Sequence, residues 1–198
     1  MTMDPTVTPD PVTQAKEYQE YLLAALGADD PVEAQRSTPA ALRGLLVEAS
    51  DDLTTPPAPG EWSALECAAH VFCAEIVVSG RYRWILAHDE PPLIGYDQDL
   101  WVGRLPQDRE EPAAMLDTFD ALRASNIRLW AGTSEADRAR FGVHAERGPE
   151  SFDLSFRLIA GHDRIHLAGA PGARRRSRLR VVSGRDRVGR PGWSAAPA

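Results

Sequence analysis

Apolar residues recur along this chain at three- and four-residue intervals, the spacing of one face of an α-helix. Thr13 to Leu26 carries Tyr18, Tyr21, Leu22, Ala25 and Leu26 at that spacing, and Gly27 stops it. Thr38 before Pro39 reads as an N-cap with proline at the first helical position, opening a helix to about residue 53 with Leu42, Leu45, Leu46 and Ala49 inward. Prolines and a glycine make 54–60 a loop. Ser63 and Glu66 then have capping-box spacing, and Trp62 can staple the start of a long helix over about 64–88. Its wheel places Leu65, Ala69, Phe72, Cys73, Ile76, Val77 and Trp84 on one face, with Glu66 inside that arc and His70 at its rim. Pro91 and Pro92 end the helix, and 93–107 reads as an irregular connection of the kind that walls a pocket.

Pro112 opens another helix to about residue 131, with Met115, Phe119, Leu122, Leu129 and Trp130 facing one way and Asn126 in the centre of the arc. A short capped turn follows over 133–140, then a glycine-bounded loop over 141–148. Ser151 is the N-cap of a last helix over about 151–168. Phe152, Leu154, Phe156, Leu158, Ile159, Ile165 and Leu167 form its broad apolar arc, and Arg157, Gly161 and Arg164 take the other side. No segment shows a convincing strand pattern. The expected fold is all-α, a bundle of four main helices with an extra N-terminal helix.

His162 and His166 fall near the middle of the last helix's apolar arc. At 3.6 residues per turn they lie one turn apart on one face, so both can reach one ion. An inward neutral imidazole needs a partner for each ring nitrogen, and a shared metal answers that need for two at once.

Composition sharpens this picture in three places. With 198 residues and 43% apolar content there is room for one domain with a true core. Cys67 and Cys73 sit six apart on one helix, poor geometry for a mutual disulfide, and neither an apolar leader nor an 18-residue apolar run is present; a reduced cytoplasmic protein, with no membrane span, is the expectation. The net charge of −7 is unevenly spread: 14 basic and 28 acidic residues precede Ala168, whereas eight arginines and one acid, Asp186, follow. The body is too acidic for a general nucleic-acid binder, and a small-molecule partner fits better. The division expected is a disordered lead-in over 1–11, a helical domain over 12–168, and a disordered Arg/Gly/Pro-rich tail over 169–198.

His162-Asp163-x-x-His166 also resembles the zincin H-E-x-x-H, with Asp163 in the Glu position. Downstream of His166 the only acid is Asp186 and there is no histidine, so a third ligand must come from upstream. His70 is the best candidate and Glu66 the next, which counts against a peptidase.

Trp62-Ser63-x-x-Glu66-x-x-x-His70, Glu75, the Asp89-x-Pro91 turn and His162-Asp163-x-x-His166 near the end of a last helix resemble the DinB-like superfamily. The resemblance covers roughly residues 38–168 and rests on spacing and order. It implies a four-helix bundle holding a divalent metal, commonly zinc or nickel, on His70, His162 and His166, with positions open to water or substrate. It also implies that some relatives are transferases or isomerases using a low-molecular-weight thiol such as mycothiol or bacillithiol, and that homodimers are common. On this reading Glu66 or Asp163 orients an imidazole or acts as base, and Asn126, His144 and Arg147 line the substrate mouth. The alternatives are a metal-dependent hydrolase and a non-enzymatic, stress-linked binding bundle. One departure stands out: the family's last helix continues past the second histidine, whereas Gly169-Ala170-Pro171-Gly172 breaks it here. That end reads as an altered reading frame or a divergent terminus.

Overall fold

The computed structural model describes residues 8–48, 53–105 and 111–169. Among these residues the chain forms seven helices and one small sheet: α1 Ala15–Leu26, α2 Pro31–Glu48, α3 Ala64–Ala87, β1 Pro92–Leu93, α4 Gln98–Arg104, α5 Pro112–Ala131, α6 Glu135–Ala139, β2 Phe141–His144, β3 Gly148–Ser151 and α7 Phe152–Gly169. Helices α2, α3, α5 and α7 make the four-helix bundle, and α1 lies along α7. No helix among the described residues is long and apolar enough to cross a membrane. The expected tail over 169–198 lies outside the described residues except for Gly169, the last residue of α7. Of the expected lead-in, residues 8–11 run into a turn over 11–14, where the Asp10 carboxylate accepts from the Val12 and Thr13 amides, both at 2.8 Å.

The expected capping box is present: Ser63 Oγ accepts from the Glu66 amide at 3.2 Å and Glu66 Oε2 accepts from the Ser63 amide at 2.8 Å. α2, however, begins two turns before its expected start, with Pro39 inside it. Asp30 starts it, its carboxylate accepting from the Val32 amide at 2.7 Å, with Pro31 in the first turn. Pro39 has no N–H to give the carbonyl one turn back, that of Gln35. The buried Arg123 guanidinium approaches that carbonyl at 3.4 Å instead.

The expectation of no strands is corrected. β1 pairs parallel with β2, and β2 pairs antiparallel with β3 across the turn read as a loop. Strands of two and four residues are too short to show a two-residue hydrophobic period. Gly142 permits the close parallel approach, since a Cβ there would lie 2.7 Å from Leu93 Cγ and 2.8 Å from the Pro91 carbonyl. The connection over 93–107 is likewise less irregular than expected, because Asp97 caps α4 by accepting from the Asp99 and Leu100 amides. Arg140 ties the sheet to the end of α3 through the Ile85 and His88 carbonyls and the Asp89 carboxylate.

The core is divided. One apolar cluster holds Leu42, Leu45 and Leu46 of α2, Leu65, Ala68 and Ala69 of α3, and Met115 and Phe119 of α5. The other holds Val78, Tyr82 and Ile85 of α3, Ile127 and Trp130 of α5, and Phe152, Phe156 and Ile159 of α7. Buried Thr38, Arg123 and Asp163 lie in sequence between the two on their respective helices, and buried Glu75 follows Ala74, where the second cluster begins on α3. Two residues assigned inward on α3 are not: Ile76 and Trp84 are 44% and 43% exposed. Glu75 and Ser79 take the inward positions beside them because they find polar partners on α5. The face of α7 carrying Gly161 and Arg164 is not a solvent face either. It holds α1, whose last carbonyls, Ala25 and Leu26, accept from Arg164 at 3.3 and 2.9 Å.

Candidate metal centre

His70 projects from the second turn of α3, and His162 and His166 project from successive turns of α7. All three are buried. One nitrogen of each lies within 4.8 Å of those of the other two. His70 Nε2 and His162 Nε2 face each other at 2.9 Å. The ring centroids are 5.0 Å apart for His70–His162 and 4.4 Å apart for each of the pairs with His166. Trp62 closes one side, stacked on His166 at 5.8 Å and tilted against His70 at 4.8 Å. Cys67, also buried here, directs its thiol at the His166 carbonyl.

Burial pushes the imidazoles of His70 and His166 well below the usual histidine range, and the neighbouring histidines push the same way. Both are therefore neutral near pH 7, with lone pairs ready to bind a cation. Zinc–nitrogen bonds of about 2.0–2.1 Å suit nitrogens gathered this closely. The far nitrogen of His162, Nδ1, lies 3.5 Å from Asp163 Oδ1, the carboxylate-behind-histidine arrangement common at metal sites. The donor set thus fits a divalent transition metal: three buried imidazoles, a carboxylate behind one of them, and an aromatic wall.

The other expected site residues have different surroundings. Glu66 occupies the helix cap one turn before His70. Asp163 is fully engaged, because Oδ2 accepts from Arg123 at 2.7 Å and from Thr38 at 2.9 Å. Burial alone would raise its carboxyl, yet Arg123 and His162 hold it below the ordinary value. Asn126, expected at the substrate mouth, donates to Glu75 and Ser79 and accepts from Arg83 inside the bundle. His144 and Arg147, expected there too, belong to a polar cluster between the hairpin and α3. Arg81 donates to the Ile94 carbonyl at 2.6 Å and approaches His144 Nε2 at 3.1 Å, while Arg147 and Ser155 donate to Glu150. Arg123 and Thr38 were not among the residues expected at the site. A signal was present for Arg123, which follows Phe119 by one turn and so sits on the apolar stripe of α5.

His144 yields a pH prediction. It is 1% exposed, and both its ring nitrogens face N–H donors, Arg81 at Nε2 and the Glu146 amide at Nδ1. Burial, then Arg147 and Arg81, bring it down to about 4. The unfolded chain takes up this proton near pH 6.5, whereas the folded protein does not until about pH 4. The stability it contributes is thus complete above about 6.5 and is lost as pH falls toward 4. Urea midpoints of wild type and His144→Gln between pH 7 and 4.5 should show a shallower decline for the variant; parallel curves would contradict this assignment.

A family model of the DinB superfamily matches residues 33–169. Among solved structures, the fold is similar to that of YfiT from Bacillus subtilis, with a TM-score of 0.67, 17% sequence identity, and coverage of 86% of this chain and 93% of that one. YfiT is described as a probable metal-dependent hydrolase with an unusual four-helix bundle topology. Comparison with curated proteins finds no match. The matched span takes in the bundle from the first turn of α2 onward and all three gathered histidines, and the chain belongs to the DinB superfamily.

Proposed function

We propose that this protein is a metal-dependent transferase or isomerase that activates a low-molecular-weight thiol of the mycothiol or bacillithiol type. His70, His162 and His166 are the ligands, and zinc or nickel is the metal. The observation that carries the reading is a buried donor set made of imidazoles alone. Such a set leaves the charge of a dication undiminished, and the bound ion would supply acidity to a thiol or water at an open position. The chain does the rest. Asp163 orients His162, and because its oxygens are taken by Arg123, Thr38 and His162 it is not the base. Glu66, which caps α3 one turn before His70, is the base in this reading. Trp62 packs against His70 and His166 on one side of the centre. The bundle, expected over 12–168, is the catalytic domain, and a cytoplasmic homodimer belongs to the same reading.

Hydrolysis is the second reading, supported by the likeness to YfiT. Metal analysis comes first: wild type should carry one divalent ion per chain and His70→Ala should lose it, whereas retention without His70 would break the three-histidine centre. Metal-loaded protein is then offered mycothiol or bacillithiol with an electrophile and, separately, an activated ester. Thiol consumption above the His162→Ala background is the expected result. Ester cleavage without it would move the protein to the hydrolases, and metal-free protein of full stability would favour a non-enzymatic bundle.

A further inference from the structure

Resting on the metal-centre reading, we propose that Arg123 and Thr38 are positioning residues for that centre, fixing the Asp163 carboxylate so that it aims the His162 imidazole. The Arg123 guanidinium is pinned on several sides. Nη1 donates to Asp163 Oδ2 at 2.7 Å and lies 3.4 Å from the Gln35 carbonyl that Pro39 leaves unused. Nη2 donates to Glu75 Oε2 at 2.8 Å, and Glu75 Oε1 accepts from Asn126 at 2.8 Å. Thr38 Oγ1 donates to the same Asp163 oxygen at 2.9 Å. With Oδ2 held twice, Oδ1 is the oxygen turned toward His162 Nδ1. A carboxylate there places the ring proton on Nδ1 and leaves the Nε2 lone pair for the centre. Nε2 is the atom that faces His70.

The four residues come one from each bundle helix: Thr38 from α2, Glu75 from α3, Arg123 from α5 and Asp163 from α7. The packing of the bundle thereby sets the angle of a ligand. Lysine cannot replace Arg123, because a point charge cannot fork between Glu75 and Asp163. An apolar trio would hold the helices as well as these charges do. What such a trio would lose is the orientation of the imidazole.

The test is zinc affinity by chelator competition, with the cobalt(II) absorption spectrum, for wild type, Arg123→Lys, Thr38→Val and Thr38→Ser. Circular dichroism checks that each variant is folded. Arg123→Lys and Thr38→Val should weaken zinc about 10–100-fold and shift the cobalt bands, and Thr38→Ser should recover nearly wild-type affinity. Folded variants with unchanged affinity and spectrum would show the relay to be a structural tie only and overturn the proposal. If Arg123→Lys does not fold, Thr38→Val against Thr38→Ser decides it. A wild type that takes up neither zinc nor cobalt is a different result, which removes the metal centre itself and the relay with it.

Discussion

Arg123→Met is expected to destabilise the protein by about 3–5 kcal/mol, the cost of leaving buried charge uncompensated. Arg123 is 1% exposed and is the guanidinium shared by Glu75 at 2.8 Å and Asp163 at 2.7 Å. Methionine fills similar space but leaves two carboxylates facing each other without a cation. The pH dependence identifies the cause. In wild type Asp163 is held below its ordinary value, so the stability it contributes is present above about pH 3.9 and is lost as pH falls through the folded value. In Arg123→Met the burial of Asp163 is no longer opposed by the guanidinium, and its carboxylate takes up a proton more readily folded than unfolded. The stability gap to wild type should therefore narrow as pH falls from 7 toward 4, read from urea unfolding at each pH. Combining the variant with Glu75→Gln and Asp163→Asn should recover much of the loss, since neutral amides do not repel. A gap that is constant with pH, or no recovery in the triple variant, would show that packing and not charge is responsible.

Gly161→Ala is expected to cost at least about 3 kcal/mol, although the same change in an exposed helix gains about 1 kcal/mol. A Cβ on Gly161 would stand 1.9 Å from the Leu22 carbonyl oxygen and 2.7 Å from its carbon. Both belong to backbone, so no side chain can swing aside. α1 would have to withdraw from α7, against the Arg164 contacts to the Ala25 and Leu26 carbonyls and the burial of Leu22 and Leu26. Gly44→Ala on α2 is the control, for a Cβ there would meet nothing within 4 Å. The two substitutions should move the urea midpoint in opposite directions. A loss below about 1 kcal/mol for Gly161→Ala would mean that α1 is only loosely held on α7.

Much of the candidate centre was legible before any fold was known. A four-residue spacing puts two side chains on one helical face whatever the helix packs against, and the apolar arc of α7 declared that face to be inward. The absence of a histidine downstream of His166 turned attention back to His70, and the structure brings it beside them. Caps were equally readable: Ser63 with Glu66, and Ser151, act on neighbours within four residues. The misplaced residues on α3 have a tertiary cause. Placing Ile76 and Trp84 inward assumed that the apolar side of α3 would win, but Glu75 and Ser79 could be buried because α5 supplies their partners.

The sequence by itself determined the four bundle helices, the caps at Ser63 and Ser151 and the inward aim of His162 and His166, because each depends on residues within a turn or two of one another. Tertiary structure alone decided the rest. Asp163 meets Arg123 across 40 residues and Thr38 across 125, and Gly161 meets Leu22 in another helix. Whether a polar residue on an apolar face becomes a ligand, an orienting group or part of an ion pair depends on what the facing helix presents at that level. Helical periodicity records the face and leaves the partner unspecified.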